Sequence, residues 1–297
     1  MSAIKGRKLS IENATLIGQG YNADVYLFDD ENVVKVLKYS SFEDADREIQ
    51  LSKWALKKGI PTAISYDVVD VDGRPGLVYE SLGRGNLRNI LRDTPERFDE
   101  VLSRYNELLH TVNSIVVEPG QLPDAADAYS KYLEKARNVM TEAEYEKMKQ
   151  LMDTVPRCYN LVHGDFHVKN IKVMRGELLL IDLDTLSCGD AIFELSALYR
   201  SYNLYIKDDG CEIDAFFDLR KDIIHRLLDG ILRGYFPGVS EATLSDNRRK
   251  IELLSYMYML YWYSVEEPER SELLEEMYKH FRELLPQCDN LVLRYKE

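Results

Sequence analysis

The sequence predicts an α+β protein with two lobes: a small N-terminal lobe built on an antiparallel sheet and a large, mostly helical C-terminal lobe. Short runs of β-branched and aromatic residues, separated by turn residues, occupy roughly the first 80 positions. After Ser81-Leu82-Gly83 the pattern changes to longer segments with helical periodicity. We therefore place the domain boundary after Leu82, which gives lobes of residues 1–82 and 83–297.

The N-terminal lobe is predicted to contain three strands, one helix and a hairpin. The helix carries its apolar residues on one broad stripe, and Gly59 follows it as a stop. The hairpin turns at Asp72-Gly73, a dipeptide typical of tight turns. The predicted elements are strands 14–19, 23–28 and 32–38, helix 41–58, and a hairpin that ends at residue 80.

The C-terminal lobe is predicted to be helical apart from one short patch of strand. That patch covers residues 161–184 and turns at Arg175-Gly176. Residues 256–263 are apolar on all sides, which favours a buried helix; the alternative is an aromatic cage for a cation. The predicted helices cover roughly residues 96–114, 124–138, 141–153, 190–206, 212–234, 241–264 and 270–285.

The densest group of reactive side chains is the segment HGDFHVKN, residues 163–170, which is followed by Asp182 and Asp184. Two interpretations compete. His163, Asp165 and His167, at spacing two, could bind zinc for hydrolysis. Alternatively, an Asp five residues before an Asn, followed by a strand that ends in Asp, matches phosphoryl transfer. In that arrangement Asp165 accepts the proton of a hydroxyl, while Asn170 and Asp182 hold Mg²⁺ through oxygen atoms.

The N-terminal lobe contains further candidates for a nucleotide site. Gly18 and Gly20 lie in a strand-turn-strand segment, where small residues let backbone amides cover phosphates. Lys35 lies in an apolar strand, where a cation is costly without a partner, and Glu48 on the next helix is its natural counter-ion. The alternative is that Lys35 extends to solvent and Glu48 is solvated.

The segments HGDFHVKN and LLLIDLD resemble the catalytic region of the aminoglycoside phosphotransferase and choline kinase-like superfamily, relatives of the protein kinases. The resemblance covers nearly the whole chain and implies a protein-kinase-like fold. It also implies that Asp165 is the catalytic base, that Asn170 and Asp182 bind Mg²⁺, and that Lys35 contacts phosphate. The Glu80 carbonyl and the Leu82 amide would then contact adenine.

The chain departs from the family pattern at two places. Val168-Lys169 stands where the family usually has Pro-Gly, so Lys169 could reach the transferred phosphoryl group or point to solvent. Glu194-Leu195 replaces a common Asp-Leu pair, which leaves open whether the longer side chain still stabilises the catalytic loop. The role of Asp184, in metal or substrate positioning or in the loop, also stays open.

The net charge is −13, from 38 basic and 51 acidic residues, which argues against a protein that grips nucleic acid or an anionic membrane. We find no signal peptide and no apolar run long enough to span a bilayer, and so expect a cytoplasmic protein. Residues 83–297 carry a net −10, which favours a cationic or neutral acceptor; acidic solvated helix faces are the alternative.

The leading hypothesis is therefore a Mg²⁺-dependent kinase that transfers the γ-phosphate of ATP or GTP to a hydroxyl of a small molecule, with a cationic or sugar-like compound as the expected acceptor. The alternative is a kinase-fold nucleotide-binding or regulatory module, or a protein kinase-like enzyme. The chain has no Asp-Phe-Gly and no Ala-Pro-Glu motif, which disfavours a protein substrate. The predicted partners are a nucleoside triphosphate and a small-molecule acceptor; the sequence does not define an oligomeric state.

Overall fold

The computed structural model describes residues 7–20, 22–83, 85–206 and 210–296. Tyr21, in the predicted glycine-rich turn, lies outside these ranges. The chain divides into two compact units. The first comprises residues 1–87 and 168–184, and the second comprises residues 88–167 and 185–297. The predicted domain boundary after Leu82 stays a prediction. Of the predicted strand patch at 161–184, residues 168–184 belong to the first unit and residues 161–167 to the second.

The first unit contains a six-stranded sheet in the order β1-β5-β6-β4-β3-β2. Its strands are antiparallel except for β1, which pairs with β5 in parallel and was not predicted. Strands β2, β3 and β4 begin and end within one residue of the predicted bounds, and the hairpin ends at Glu80 as predicted. The strands are β1 (Arg7–Lys8), β2 (Thr15–Gln19), β3 (Ala23–Leu27), β4 (Asn32–Leu37), β5 (Asp67–Val71) and β6 (Arg74–Glu80).

Helix α1 (Phe42–Lys57) packs on one face of this sheet. Ser41 and Asp44 form a capping box at its start, which satisfies backbone N–H groups that have no partner within the helix. Ala45 and Ile49 of α1 pack against a cluster that includes Leu37 and Leu77. Because side chains alternate along a strand, Val34 and Val36 of β4 lie in the core on the other face.

A short hairpin completes the first unit. It consists of β8 (Ile171–Met174) and β9 (Glu177–Leu180), and Arg175 and Gly176 both have positive φ at its turn, as predicted for a tight hairpin. The Leu180 amide donates to the Pro61 carbonyl at 2.7 Å, and the Val173 amide donates to the Gly85 carbonyl at 3.1 Å. These backbone bonds explain why the hairpin belongs to the first unit.

The second unit is helical with two small antiparallel pairs, β7 (Leu161–Val162) with β10 (Ser187–Cys188), and β11 (Ile213–Asp214) with β12 (Leu219–Arg220). Helix 212–234 was predicted to start too early, because residues 213–220 form the β11–β12 pair. The helices are α2 (Leu87–Asp93), which starts at the unit boundary, α3 (Phe98–Ser114), α4 (Ala125–Ala136), α5 (Glu142–Met152), α6 (Ala191–Tyr199), α7 (Lys221–Tyr235), α8 (Glu241–Tyr261) and α9 (Ser271–Leu284).

Two of these helices end in π-helical turns. Helix α6 continues into the turn Arg200–Leu204, and α8 continues into the turn Trp262–Glu266. The apolar stretch at 256–263 is mostly buried, with Met257, Met259 and Leu260 fully so, as predicted for a core helix. Across the described residues, we find no helix with the length and apolar character needed to cross a membrane. The predicted cytoplasmic location stays a prediction.

Candidate active site

A cavity of about 270 Å³ lies within the first unit. It is lined mainly by β2, β4, α1, the segment after β6 and the residues that flank the β8–β9 hairpin. Gly20 is not among the described residues that line it. The predicted site residues that do line it are Gly18, Lys35, Glu48, Glu80, Leu82 and Asp182.

Lys35 forms the centre of an ion-pair network in this cavity. The alternation of β4 places Lys35 on the face that carries α1, opposite Val34 and Val36. Its Nζ lies 2.9 Å from Glu48 Oε1 and 2.7 Å from Asp182 Oδ1. Burial by itself lowers the pKa of Lys35, but the charges of Asp182 and Glu48 outweigh it and hold the pKa above its ordinary value. Lys35 and Glu48 are therefore paired, and the solvated alternative is wrong.

Asp182 and Asn170 lie at the same end of the β8–β9 hairpin. Ile171 pairs with Leu180 at the end of the hairpin. One residue beyond this pair, the Ile181 amide donates a hydrogen bond to the Asn170 carbonyl at 2.9 Å. Asp182 has a φ of 65°, in the left-handed region that is uncommon for a residue other than glycine. Such strained positions concentrate at functional sites. The hairpin thus brings the backbone of Asn170 next to that of Ile181, the residue before Asp182.

Two residues of the cavity, Tyr79 and Lys172, were not singled out as polar contributors by the sequence. Tyr79 donates a hydrogen bond from its hydroxyl to Glu48 Oε1 at 3.0 Å, and burial raises the pKa of this hydroxyl, so it stays protonated. Lys169 and Lys172 add two further cations to the lining. Strand alternation was the signal available for Tyr79 and Lys172, since both occupy positions along strands next to the cavity.

The glycine-rich turn is held by a neighbouring ion pair. The Gly20 amide donates to the Ala23 carbonyl at 2.9 Å, and the Gly20 carbonyl accepts a bond from Lys38 Nζ at 2.7 Å. Lys38 also pairs with Asp24 at 2.9 Å. A Cβ at Gly20 would lie 3.3 Å from the Ala23 carbonyl oxygen, which is a tight approach. A small residue therefore suits this position, and Lys38 limits the movement of the turn.

Asp165 belongs to the second unit, on the loop that follows β7. Its amide donates to His163 Nδ1 at 3.2 Å, and its carbonyl accepts from the His167 amide at 2.9 Å. Its Oδ1 lies 3.5 Å from His167 Nε2, and its side chain is 38% exposed. Gly164 has a φ of +83°, so the chain turns sharply just before Asp165. The loop thus presents a partly exposed carboxylate on a backbone that is fixed from both sides.

The buried carboxylate of Glu194 stabilises this loop. It accepts the His163 amide at 2.6 Å on Oε2 and the Gly164 amide at 3.0 Å on Oε1. Asn113 adds a weaker bond to Oε2 at 3.4 Å. Burial raises the pKa of Glu194 to about 7, although these hydrogen bonds oppose the rise. The longer Glu side chain therefore does support this loop.

The zinc alternative receives no support from the arrangement of these residues. His163 is fully buried, and its Nδ1 accepts a backbone amide. Within the ranges that the structure describes, no group of three His, Cys, Asp or Glu side chains could hold a metal ion. His163 is therefore best explained as a residue that orders the loop.

Comparison with known proteins gives a family and a fold. The model of the phosphotransferase enzyme family (APH) matches residues 13–241. A search of curated proteins gave no significant match. The fold is similar to that of the GDP and kanamycin complex of APH(2")-IIIa, with a TM-score of 0.59 and 14% identity over 94% of this chain and 95% of that one.

Two further structures show the same similarity. The ADP-bound aminoglycoside phosphotransferase APH(2'')-Ib has a TM-score of 0.56 and 17% identity, with coverage of 95% of this chain and 93% of that chain. A choline/ethanolamine kinase family protein from Mesorhizobium loti has a TM-score of 0.51 and 13% identity, with coverage of 94% and 87%.

The chain therefore belongs to the phosphotransferase enzyme family. The predicted resemblance and the predicted protein-kinase-like fold, with a small sheet-based part and a large helical part, are both confirmed.

Proposed function

We propose that this protein is a Mg²⁺-dependent kinase that transfers the γ-phosphate of ATP or GTP to a hydroxyl of a small molecule. The observation that carries the proposal is the ion-pair network in the cavity of the first unit, in which Lys35 contacts both Glu48 and Asp182. A buried cation held by two carboxylates is ready to contact phosphate oxygens, and its aliphatic stem is held in one place. Family membership supports the same reaction class.

The nucleotide half of the reaction is assigned to the first unit. The cavity combines an apolar lining from Ile17, Val25 and Val33 with the segment Glu80–Leu82, which suits a purine ring. The cations Lys35, Lys169 and Lys172 suit a triphosphate. Neighbouring proteins crystallised with ADP or GDP are consistent with this assignment.

The residues present fit a magnesium ion. Asn170 and Asp182 are oxygen donors at one end of one hairpin, and Mg²⁺ prefers one or two protein oxygen ligands completed by phosphate and water. When bound, the ion would supply positive charge that neutralises the phosphate oxygens. Asp182 already holds Lys35, so the same carboxylate links the lysine to the metal position.

The acceptor half is assigned to Asp165. Its carboxylate would accept a hydrogen bond from the acceptor hydroxyl, orient the hydroxyl oxygen for attack on the γ-phosphorus and take its proton as the new O–P bond forms. The bond from the γ-phosphorus to the β,γ-bridging oxygen would break in the same transfer, and the nucleoside diphosphate would leave. Glu194 and the positive-φ Gly164 fix the backbone on which this carboxylate stands. Most of the catalytic effect would then come from positioning and fixed charges.

A coupled assay of nucleotide consumption tests the proposal. Wild-type protein is assayed with ATP and with GTP against amino alcohols, sugars, nucleosides and aminoglycosides, and phosphorylated product is identified by mass. The Lys35→Met variant is the matched control, since it keeps most of the length of the unbranched side chain and removes its charge. We expect product formation that depends on an acceptor and on Mg²⁺, and that falls at least about 100-fold in the variant.

The alternative, a nucleotide-binding or regulatory module, predicts a different result. It predicts a thermal shift with ATP or GTP that Lys35→Met abolishes, without phosphorylation of any compound and without nucleotide hydrolysis. That outcome would replace the proposed kinase with the binding module.

A further inference from the structure

His167 has one ring nitrogen that faces the carboxylate of Asp165 and one that no hydrogen bond satisfies. The residue is 6% exposed, and its Nε2 lies 3.5 Å from Asp165 Oδ1. Among the residues that the structure describes, none makes a hydrogen bond to the buried Nδ1 of this ring. A buried polar atom without a partner destabilises a fold, so the presence of a histidine here needs an explanation.

The position of the ring proton follows from these surroundings. An imidazole with one proton carries it on either nitrogen, and the other nitrogen is then an acceptor. A proton on Nδ1 would leave a buried donor without a partner and would turn the lone pair of Nε2 toward a carboxylate. A proton on Nε2 makes that nitrogen a donor toward Asp165 Oδ1. The proton of His167 therefore belongs on Nε2.

The orientation of the His167 ring is set by its backbone and by two aromatic rings. Its amide donates to the Asp165 carbonyl at 2.9 Å. Phe216 and Phe217 pack edge-to-face with the imidazole, with ring centroids 5.5 Å and 5.7 Å away and planes at 71° and 88°. Aromatic rings prefer this edge-to-face geometry, so the two contacts fix the plane of the imidazole. The direction of Nε2 is thus set by the protein itself.

The turn that carries these two phenylalanines, residues 215–218 between β11 and β12, is itself held in place. Asp214, which is buried, accepts the Phe217 amide on Oδ1 at 2.7 Å, and its carbonyl accepts the Asp218 amide at 2.8 Å. Asp218 pairs with Arg92 of α2 at 2.6 Å. Phe217 stacks on the fully buried Tyr202, with centroids 5.1 Å apart. The rings that contact His167 therefore rest on a well-anchored part of the second unit.

We propose that His167 is a positioning residue whose Nε2 donates to Asp165 Oδ1 and turns the carboxylate toward the acceptor hydroxyl. This inference rests on the proposed kinase function. A donor on Oδ1 sets the rotation of the carboxylate, so it also sets the direction of Oδ2. Oδ2 takes the hydroxyl proton as the new O–P bond forms, while the bond from the γ-phosphorus to the bridging oxygen breaks and the nucleoside diphosphate leaves. His167 keeps its own proton throughout.

The distance between the two groups fits a bond that forms fully with the acceptor in place. At 3.5 Å it is longer than an ordinary N–H···O bond of about 2.7–3.2 Å. Catalytic hydrogen bonds are often long in the free enzyme and shorten when the substrate binds. The Asp165 side chain is 38% exposed, whereas the imidazole is buried between two rings. The carboxylate is therefore the partner that rotates to shorten the bond.

The alternative is that His167 only fills space beside Phe216 and Phe217. For that role a hydrocarbon ring is at least as good, because it places no unsatisfied nitrogen in the core. An amide side chain is worse, because it has no ring to pack. The positioning role and the packing role therefore predict opposite rank orders for the variants His167→Phe and His167→Gln.

The first test compares these variants in turnover. Turnover is measured as Mg²⁺-dependent transfer to the acceptors found in the coupled assay, and as nucleotide hydrolysis, in which water takes the place of the acceptor. His167→Phe keeps a ring and removes the donor, so kcat should fall at least about 10-fold, the effect of one lost hydrogen bond to a charged group, with the KM of the nucleotide unchanged. His167→Gln keeps an N–H donor near the place of Nε2, so kcat should stay within about threefold of the wild type.

His110→Phe is the matched control. His110 also packs on an aromatic ring, Tyr235, with centroids 4.7 Å apart, but its Nε2 lies 3.1 Å from the Gly234 carbonyl and not against a carboxylate. This variant should keep wild-type kcat. If thermal melts show that His167→Phe is not folded, His167→Leu replaces it, because leucine is smaller and also lacks a donor.

Two further measurements separate positioning from packing. In the Asp165→Ala background, His167→Phe should have little further effect on kcat, because the bond acts through that carboxylate; additive effects would overturn the role. Long-range ¹H–¹⁵N NMR spectra of protein with labelled histidine show which ring nitrogen carries the proton, and His167→Gln identifies the signal. We expect the proton on Nε2, and a proton on Nδ1 would overturn the inference without any assay of activity.

The outcomes distinguish the inference from the proposed function. Wild-type turnover in His167→Phe, or a loss in His167→Gln that is equal or larger, rejects the positioning role and leaves the kinase assignment intact. If the wild-type protein neither phosphorylates an acceptor nor hydrolyses nucleotide, the proposed function is rejected and the inference with it.

Discussion

Replacing Glu194 by Gln should make the protein more stable and less active. The Glu194 carboxylate is fully buried and accepts the amides of His163 and Gly164, one on each oxygen. A glutamine has the same shape but only one acceptor oxygen, and its NH₂ group would face one of these N–H donors. The loop therefore loses one of its two hydrogen bonds to residue 194. A hydrogen bond to a charged group contributes about 1.5–3 kcal/mol, which corresponds to a roughly 10- to 100-fold fall in kcat.

The effect on stability has the opposite sign. The pKa of Glu194 rises from an ordinary 4.5 to about 7 in the folded protein. The unfolded chain therefore releases this proton near pH 4.5, while the folded chain keeps it until about pH 7. Native stability falls as pH rises through this window and stays lowered above it, by on the order of 3 kcal/mol. Glutamine cannot ionise, so the variant should gain up to roughly that amount at pH 8.

The same titration predicts the pH dependence of activity. Below about pH 7 the protonated carboxyl has lost one acceptor oxygen, so wild-type activity should decline on the acid side, and Glu194→Gln should lack this decline. The assay is kcat/KM from pH 5.5 to 9, together with thermal melts at pH 6 and 8. Glu252→Gln is the control, because burial raises the pKa of Glu252 as well, away from the catalytic loop. Wild-type turnover in Glu194→Gln, or the same acid limb in both proteins, would refute this reasoning.

Two further predictions concern the first unit. Tyr79→Phe removes the hydroxyl that donates to Glu48. In steady-state kinetics it should raise the KM of the nucleotide about 3- to 10-fold without changing the KM of the acceptor. An unchanged nucleotide KM would show that Tyr79 does not position the Lys35–Glu48 pair. Gly76→Ala would place a Cβ 2.8 Å from Val34 Cγ2 and 2.9 Å from Val69 Cγ2. The free energy of unfolding measured in urea should therefore fall by about 1–3 kcal/mol. Gly18→Ala is the control, because its Cβ would have its nearest contact at 3.5 Å and should change that free energy little.

Local pattern was enough to predict much of the fold and part of the site. Lys35 stood out because a lone cation in an apolar strand needs a partner, and Glu48 proved to be that partner. The strands of the first unit followed from alternation and turn residues, which act over a few positions. The parallel pairing of β1 with β5 could not be predicted from local pattern. It joins the two-residue strand Arg7–Lys8 to a strand about 60 residues later in the chain.

Other features depend on contacts that sequence spacing does not encode. The second bond of Lys35, to Asp182, spans 147 residues and sets the geometry of the cavity. The support of the loop at His163–Asp165 by Glu194 depends on how deeply α6 is buried, and no sequence pattern predicts that depth. The sequence predicts one helix over 190–206 and does not predict the π-helical turn after Tyr199, because a single inserted residue leaves the apolar periodicity nearly unchanged.

The most direct measurement of the central claim is the turnover of Asp165→Asn with its nucleotide affinity. In the proposed function the nucleotide binds in the cavity around Lys35 and the acceptor hydroxyl binds at Asp165. Removing this one charge should therefore cut turnover at least about 100-fold, while the Kd for ATP or GTP stays within about threefold of the wild type. Turnover close to that of the wild type would contradict the assignment of Asp165 as the catalytic base.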